Sequence, residues 1–268
     1  MKKLFTIALL GLFSISAFAQ DKGGEMKNFR FGVTALPALT WYKPDEVKKF
    51  ENKGAAFRFG VLINGEFSFS DNFAIGFGIG LSSSGGKVNF LDSVHYHVYD
   101  GEIISLSKPD TGSITSKTEH YLLNTREYKA SYYMVPISLK MRTNEIGYMR
   151  YFFEPRLNIG IRKKVRADDD VVSWGSSNKV KQENIDITPD MAFLKTSVTL
   201  SGGGEYYLSG STAFVFSIGY DYGLSNAMQK ESDNLQRTKG NPSVAANTKP
   251  LEQKFTQNGF IISLGILF

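Results

Sequence analysis

Residues 73–81 read Phe-Ala-Ile-Gly-Phe-Gly-Ile-Gly-Leu, and they constrain the fold more than any other stretch of the chain. Because side chains alternate between the two faces of a β-strand, the five large apolar residues share one face, while Ala and Gly fill the other. A soluble sheet would place polar side chains on the face opposite its core. Here the second face is almost bare, which is typical of the crowded lumen of a membrane barrel whose outer face meets lipid.

The first 19 residues have the pattern of an export signal. Lys2 and Lys3 precede an apolar run from residue 4 to residue 15, and the small-residue pattern Ala-Phe-Ala ends at Ala19. The apolar run is shorter than the ~20 residues that a spanning helix needs. We therefore predict a removed signal peptide over residues 1–19 and one barrel domain over residues 20–268.

The composition excludes several classes of function. The chain has no cysteine, which rules out disulfides, thiol catalysis and thiolate metal sites. Its formal net charge is +5, from 31 basic and 26 acidic residues, and no basic tract carries interleaved aromatic residues. We therefore expect no nucleic-acid partner.

Eight segments show the alternation expected of a barrel wall. They cover residues 29–41, 55–70, 73–81, 131–142, 148–166, 191–208, 214–223 and 255–268. The connections between them are alternately long and short, and outer-membrane barrels combine tight periplasmic turns with long outer loops in this way. We predict an all-β fold: an eight-stranded antiparallel transmembrane up-and-down β-barrel with short periplasmic turns and long extracellular loops.

A soluble eight-stranded barrel that holds a ligand in an apolar lumen is the alternative fold. In that fold the large apolar residues would point inward and the charged residues outward. It explains neither the aromatic residues at the strand ends nor the alternation of long and short connections.

With the apolar face toward lipid, twelve charged side chains face the lumen. They are Arg30, Arg58, Glu66, Lys140, Arg142, Arg150, Glu154, Arg156, Arg162, Lys195, Glu205 and Asp221. Because an eight-stranded barrel is only wide enough for side chains to fill it, we expect these charges to pair across the lumen. The pattern favours a structural plug of salt bridges centred on Glu66, Glu154 and Glu205, and a gated or ion-selective pore is the alternative.

The long segment between the third and fourth predicted strands carries all three histidines, His95, His97 and His120. An extended backbone would place His95 and His97 on one face, so the functional alternative is a zinc site completed by His120. No carboxylate stands at a suitable spacing, and we expect three solvated loop histidines. Ser131, Tyr132 and the same loop histidines are the candidates for a lipid-modifying enzyme, but no GxSxG motif occurs. We therefore predict no catalytic, metal or cofactor site, and no enzyme.

Two strand motifs resemble those of a known family. Residues 132–140, Tyr-Tyr-Met-Val-Pro-Ile-Ser-Leu-Lys, resemble the Y-x-x-(I/V)-P-(L/I)-x-L-K strand of the PorT-like outer-membrane β-barrel proteins of Bacteroidetes. Residues 200–206, Leu-Ser-Gly-Gly-Gly-Glu-Tyr, resemble the G-x-G-x-E-Y strand of the same family. The resemblance implies an eight-stranded outer-membrane barrel, and one branch of the family belongs to the type IX protein secretion machinery. It implies no catalytic or binding residues, because both motifs describe the barrel wall.

We therefore expect an integral protein of the outer membrane that serves as a structural or interaction barrel, with PorT-like participation in secretion as one version. The expected partners are outer-membrane lipid and other proteins of the envelope or the secretion machinery. The alternatives are a small-solute or ion pore, which would conduct in planar bilayers, and a lipid-modifying enzyme, which would alter lipid A.

Overall fold

The computed structural model describes residues 28–99, 102–104, 118–176, 178–238 and 248–268. The predicted signal peptide, residues 1–19, lies outside these ranges. No helix in the described ranges is long and apolar enough to cross a membrane. A single-turn 3-10 helix covers Thr188–Asp190. The strands are β1 (Phe29–Pro44), β2 (Phe50–Gly54), β3 (Ala56–Ser70), β4 (Phe73–Tyr99), β5 (Glu102–Ile103), β6 (Glu119–Arg142), β7 (Met149–Ser173), β8 (Lys179–Asp186), β9 (Leu194–Ser209), β10 (Thr212–Gly223), β11 (Glu231–Thr238), β12 (Thr248–Glu252) and β13 (Phe255–Leu267).

Eight of these strands form the barrel wall. Neighbours pair antiparallel in the order β4, β3, β1, β13, β10, β9, β7 and β6, and β6 pairs with β4 to complete the ring. The prediction of an eight-stranded antiparallel barrel is thus confirmed. Among the shorter strands, β2, β5 and β11 pair with β4, β8 pairs with β7, and β12 pairs with β11.

The three short connections lie at one end of the barrel. They join β3 to β4, β6 to β7 and β9 to β10, and the last two contain Gly147 and Gly210 at φ values of 69° and 55°. Glycine has no Cβ, so it adopts this left-handed backbone without a steric cost. The long connections lie at the opposite end, which confirms the predicted alternation.

The wall continues well beyond the predicted strand ends. β4 is 27 residues long, and its outer part pairs with β6 from Ser82 to Val98. The prediction of long polar loops after the third and fifth strands was therefore wrong where the structure describes them, because residues 84–99, 119–129, 167–173 and 179–186 lie in strands. The alternation there is broken by bulges, such as the register shift between Asn89 and Val94, and most outward positions, such as Lys87 and Asn89, are polar. We call the outer halves of β4, β6 and β7, together with β2, β5, β8, β11, β12 and the 3-10 helix, the outer extension.

The side chains of the wall point alternately outward and into the lumen, as the sequence pattern predicts. On β4, Phe77 and Ile79 are exposed on the outside, while Gly76, Gly78 and Gly80 face the lumen. The backbones pack closely on the inner side: a Cβ on Gly80 would lie 2.1 Å from the Val61 carbonyl oxygen. The small residues therefore allow neighbouring strands to curve tightly around a narrow lumen.

Candidate functional site

Five of the predicted lumen charges meet near the end of the barrel that carries the short turns. Arg30 Nη2 lies 2.7 Å from Glu66 Oε1 and 2.8 Å from Glu205 Oε2. Lys140 Nζ lies 2.6 Å from Glu66 Oε2 and 3.0 Å from Glu205 Oε1. Arg142 donates from Nε to Glu205 at 3.1 Å and from Nη2 to Glu66. All five side chains are buried, and we call this group the charge cluster.

The charge cluster joins four strands, because its members come from β1, β3, β6 and β9. Further hydrogen bonds complete it: Arg30 Nη1 donates to the Tyr207 hydroxyl at 3.2 Å, and that hydroxyl donates to Glu205 at 3.0 Å. Arg142 Nη1 donates to the Ser68 hydroxyl at 3.3 Å. Buried charges are tolerated only when they are paired and hydrogen-bonded, and here three cations share two carboxylates.

The carboxylates nearer the middle of the lumen have local partners. Arg156 Nη2 donates to Glu154 Oε1 at 2.9 Å, two positions away on the same strand. Asp221 Oδ1 accepts from the Thr199 hydroxyl at 2.8 Å and from Asn158 Nδ2 at 3.2 Å. The lumen therefore holds the charge cluster and, beside it, local polar pairs such as Glu154 with Arg156, and Glu154 also interacts electrostatically with Lys140 of the cluster.

Among the described residues, the other four predicted lumen charges form no salt bridge with the charge cluster, although the Arg150 guanidinium lies 5.7 Å from the centre of the Tyr207 ring. Arg58 and Arg162 reach into the outer extension, and Arg150 lies near the turn between β6 and β7. Their partners are Glu127 for Arg58, Glu145 for Arg150, the Thr188 carbonyl oxygen for Arg162, and the Gln257 side-chain oxygen for Lys195.

Little space remains inside the wall. Leu36, Leu62 and Met134 form a buried apolar layer within the lumen. Two lumen cavities, one beside Glu154 and one beside Asp221, each have a volume of about 30 Å³. Since one water needs roughly 10–15 Å³ by this measure, each cavity holds only about two or three waters.

The outer extension has a hydrophobic core that the sequence reasoning missed. Tyr42 and Tyr128 contact edge to face at 5.1 Å, and Phe50 contacts Phe255 in the same way at 4.9 Å. These rings are almost fully buried. The sequence does carry a signal for this core. Apolar or aromatic residues alternate with polar ones at positions 88 and 90 before the bulge, and at positions 94, 96 and 98 after it. This core closes the outer end of the lumen.

A buried ion pair ties the outer extension together. Arg126 donates from Nε and Nη2 to the two oxygens of Asp169, both at 2.7 Å, between the rings of Tyr96 and Tyr128. Burial alone would lower the pKa of Arg126, but the Asp169 carboxylate outweighs burial and raises this pKa. Asp190, 3.9 Å from Arg126, accepts the backbone N–H groups of residues 233 and 234 and so holds the start of β11 in place.

The three histidines form a partly buried cluster on the outer face of the extension, so the expectation of separate solvated histidines was wrong. The His120 ring lies 4.9 Å from His95 and 4.3 Å from His97, and Trp174 stacks on it at 4.9 Å. Burial is the main cause that lowers the pKa of His95 and of His120 to about 4. Within the ranges that the structure covers, no group of three or more His, Asp or Glu residues is arranged to hold a metal ion.

The candidate residues for lipid chemistry do not join this cluster. Ser131 is half-exposed on the outside of β6, whereas Tyr132 is buried on the inside. His120 lies eleven positions away on the same strand, which is ~36 Å along an extended backbone. Ser131 and Tyr132 therefore share no site with the histidines.

The histidine cluster predicts that the outer extension loses stability in mild acid. The pKa of His95 and His120 is about 4 when folded, against 6.5 unfolded, so the unfolded chain binds more protons between these values. The free energy of opening should therefore decrease as the pH falls from 6.5 to 4. Hydrogen exchange, corrected for the intrinsic rate, should show less protection of residues 94–98 at pH 4.5 than at pH 7. The variant His95→Gln/His120→Gln should reduce this pH dependence, and an unchanged dependence would contradict the assignment.

Residues 18–229 match the family model described as "Outer membrane protein beta-barrel domain". No curated protein matches the chain. Neisserial surface protein A (NspA) is similar at a TM-score of 0.41 and 11% identity, over 91% of this chain and 98% of that one. OprG from Pseudomonas aeruginosa is similar at a TM-score of 0.40 and 11% identity, over 92% and 98% of the two chains.

Proposed function

Because the chain belongs to the outer membrane protein β-barrel domain family and is located in the outer membrane, we propose that it is a closed structural and interaction barrel. In this proposal the wall anchors the chain in lipid, and the outer extension is the surface that contacts other proteins. The observation that carries the proposal is the hydrophobic core of the extension, which lies over a lumen already filled with side chains.

The filled lumen argues against the pore alternative. A pore needs a continuous aqueous path, but the charge cluster occupies one end of the lumen and the core of the extension closes the other. The two lumen cavities, of about 30 Å³ each, have room for only about two or three waters apiece.

The surface of the extension supports a role in protein contact. Val47, in the connection between β1 and β2, is 71% exposed, and Leu91, on the outward face of β4, is 53% exposed. The Leu91 backbone N–H donates to the Lys49 carbonyl oxygen at 2.9 Å, so the two aliphatic side chains belong to neighbouring segments. Exposed apolar side chains that adjoin one another beyond the lipid-facing wall are candidates for a protein interface.

Participation in type IX protein secretion is the more specific form of this proposal. It is supported by the resemblance of residues 132–140 and 200–206 to the PorT-like strands. We propose no catalytic role, since Ser131 and Tyr132 face opposite sides of β6 and share no site with the histidines.

Photo-crosslinking in intact cells tests the interaction role. A photoreactive amino acid at position 91 is expected to capture envelope proteins, which mass spectrometry would identify. The matched control is position 264, whose leucine is also about half-exposed but belongs to the lipid-facing wall. Secretion-machinery subunits captured at position 91 would support the more specific form. Equal capture at both positions, or none at position 91, would contradict the proposal. A second measurement tests the closed lumen: a steady conductance of the purified protein in planar bilayers would also contradict the proposal.

A further inference from the structure

Two consecutive lysines of β7 point outward at the same place. Tyr132 pairs with Arg162 and Ser131 pairs with Lys164, so Lys163 is the extra residue of a β-bulge. Because a bulge changes the alternation of side chains, Lys163 and Lys164 are both exposed, whereas Arg162 turns inward to the Thr188 carbonyl oxygen. The bulge therefore doubles the outward positive charge at this level of the barrel.

This level is the outer border of the lipid-facing band. The apolar side chains next to the lysines on the membrane side are Ile161 on β7 and its two ladder partners, Tyr133 on β6 and Leu194 on β9. All three are exposed on the outside of the wall. The Lys163 ammonium lies 5.5 Å from the centre of the Tyr133 ring, so this lysine adjoins the apolar band directly. A long lysine side chain at such a border places its charge at the level of lipid headgroups.

Within the described ranges, neither of these lysines is held in a close ion pair. In the part of the chain that the structure describes, no salt bridge joins Lys163 or Lys164 to a carboxylate, unlike the buried cations of the lumen. Arg166, two positions above Lys164, is also at this level. Its ladder partner on β8, Asp186, interacts electrostatically with both Arg166 and Lys164, so this carboxylate offsets part of the positive charge. We call Lys163, Lys164 and Arg166 the rim patch.

We propose that the rim patch binds the anionic phosphate headgroup of a lipid in the outer leaflet. The acyl chains of this lipid lie against the apolar face of β6, β7 and β9, below the lysines. The continuity of the patch with this apolar face favours a lipid over a free anion. The positive charge favours an anionic headgroup over a zwitterionic one, because basic residues at a membrane surface attract anionic lipid.

Native mass spectrometry of the detergent-purified protein tests the proposal. Phosphatidylglycerol and phosphatidylcholine are the two lipid probes, and the measured quantity is the apparent dissociation constant of the first bound lipid. The protein is expected to prefer phosphatidylglycerol. The variant Lys163→Gln/Lys164→Gln is expected to bind it about fivefold more weakly for each lysine removed at low salt, with little change for phosphatidylcholine.

The matched control is Lys179→Gln/Lys181→Gln, which also removes two exposed lysines from the extension. Lys179 pairs with Val172, eight positions beyond Lys164, so it lies ~26 Å further from the border. This control and the charge-retaining variant Lys163→Arg/Lys164→Arg should both keep the preference for phosphatidylglycerol. The proposal is overturned if the wild type shows no preference, if both glutamine variants lose it equally, or if inorganic phosphate at the same concentration displaces the lipid.

Discussion

Glu205→Gln is expected to lower the free energy of unfolding of the barrel by about 3–5 kcal/mol, the typical cost of removing one partner from a buried ion pair. Glu205 accepts from Arg30, Lys140 and Arg142. Glutamine keeps the shape but not the charge, so three buried cations would be left with Glu66 as the remaining carboxylate of the cluster. Urea unfolding of the protein in lipid vesicles, followed by tryptophan fluorescence, measures the effect.

The control for this experiment is Glu183→Gln. Glu183 pairs with Lys181 at 2.8 Å on the exposed surface of β8, and such pairs contribute only about 0–1 kcal/mol. Adding Lys140→Met to Glu205→Gln should recover part of the lost stability, because it removes one of the uncompensated cations. A loss for Glu205→Gln no larger than that for Glu183→Gln would show that the charge cluster does not stabilise the barrel.

The direction of each lumen charge could be predicted from the sequence, but its partner could not. Alternation determines whether a side chain points inward, and Arg30, Glu66 and Glu205 were assigned to the lumen on that basis. The height of each residue in the barrel depends on the stagger between strands, which no single strand encodes. Glu154 was therefore placed at the centre of the predicted plug, although it pairs with Arg156 on its own strand.

The outer extension was missed for a different physical reason. Most of its inward residues are apolar, but the bulge between Asn89 and Val94 interrupts their period of two, and most of the outward residues are polar. Its strongest polar contact joins Arg126 to Asp169, 43 positions apart. Only the paired register of β6 and β7 brings these two residues together, so neither the strands nor the ion pair could be read from local patterns.

Substitutions on β4 on the two sides of the border between wall and extension give the sharpest test of where the membrane lies. Phe77→Arg is expected to make folding into lipid vesicles less favourable by about 2–4 kcal/mol, because Phe77 faces outward near the middle of the lipid-facing part of β4. Phe77→Leu keeps an apolar side chain and should cost much less. Urea titration of folding into the vesicles, with the folded fraction read by gel mobility, measures both.

The matched control is Leu91→Arg, on the same strand and the same outward face but beyond the apolar band. An arginine there meets water, so the expected change is within about 0.5 kcal/mol. Gly78→Ser is unsuitable as a mild lumen control, since its Cβ would lie 2.7 Å from the Ile63 carbonyl oxygen. If Leu91→Arg were as damaging as Phe77→Arg, the membrane would have to extend over the outer extension. The rim patch would then lie within the apolar band, where its lysines could not remain charged without a partner.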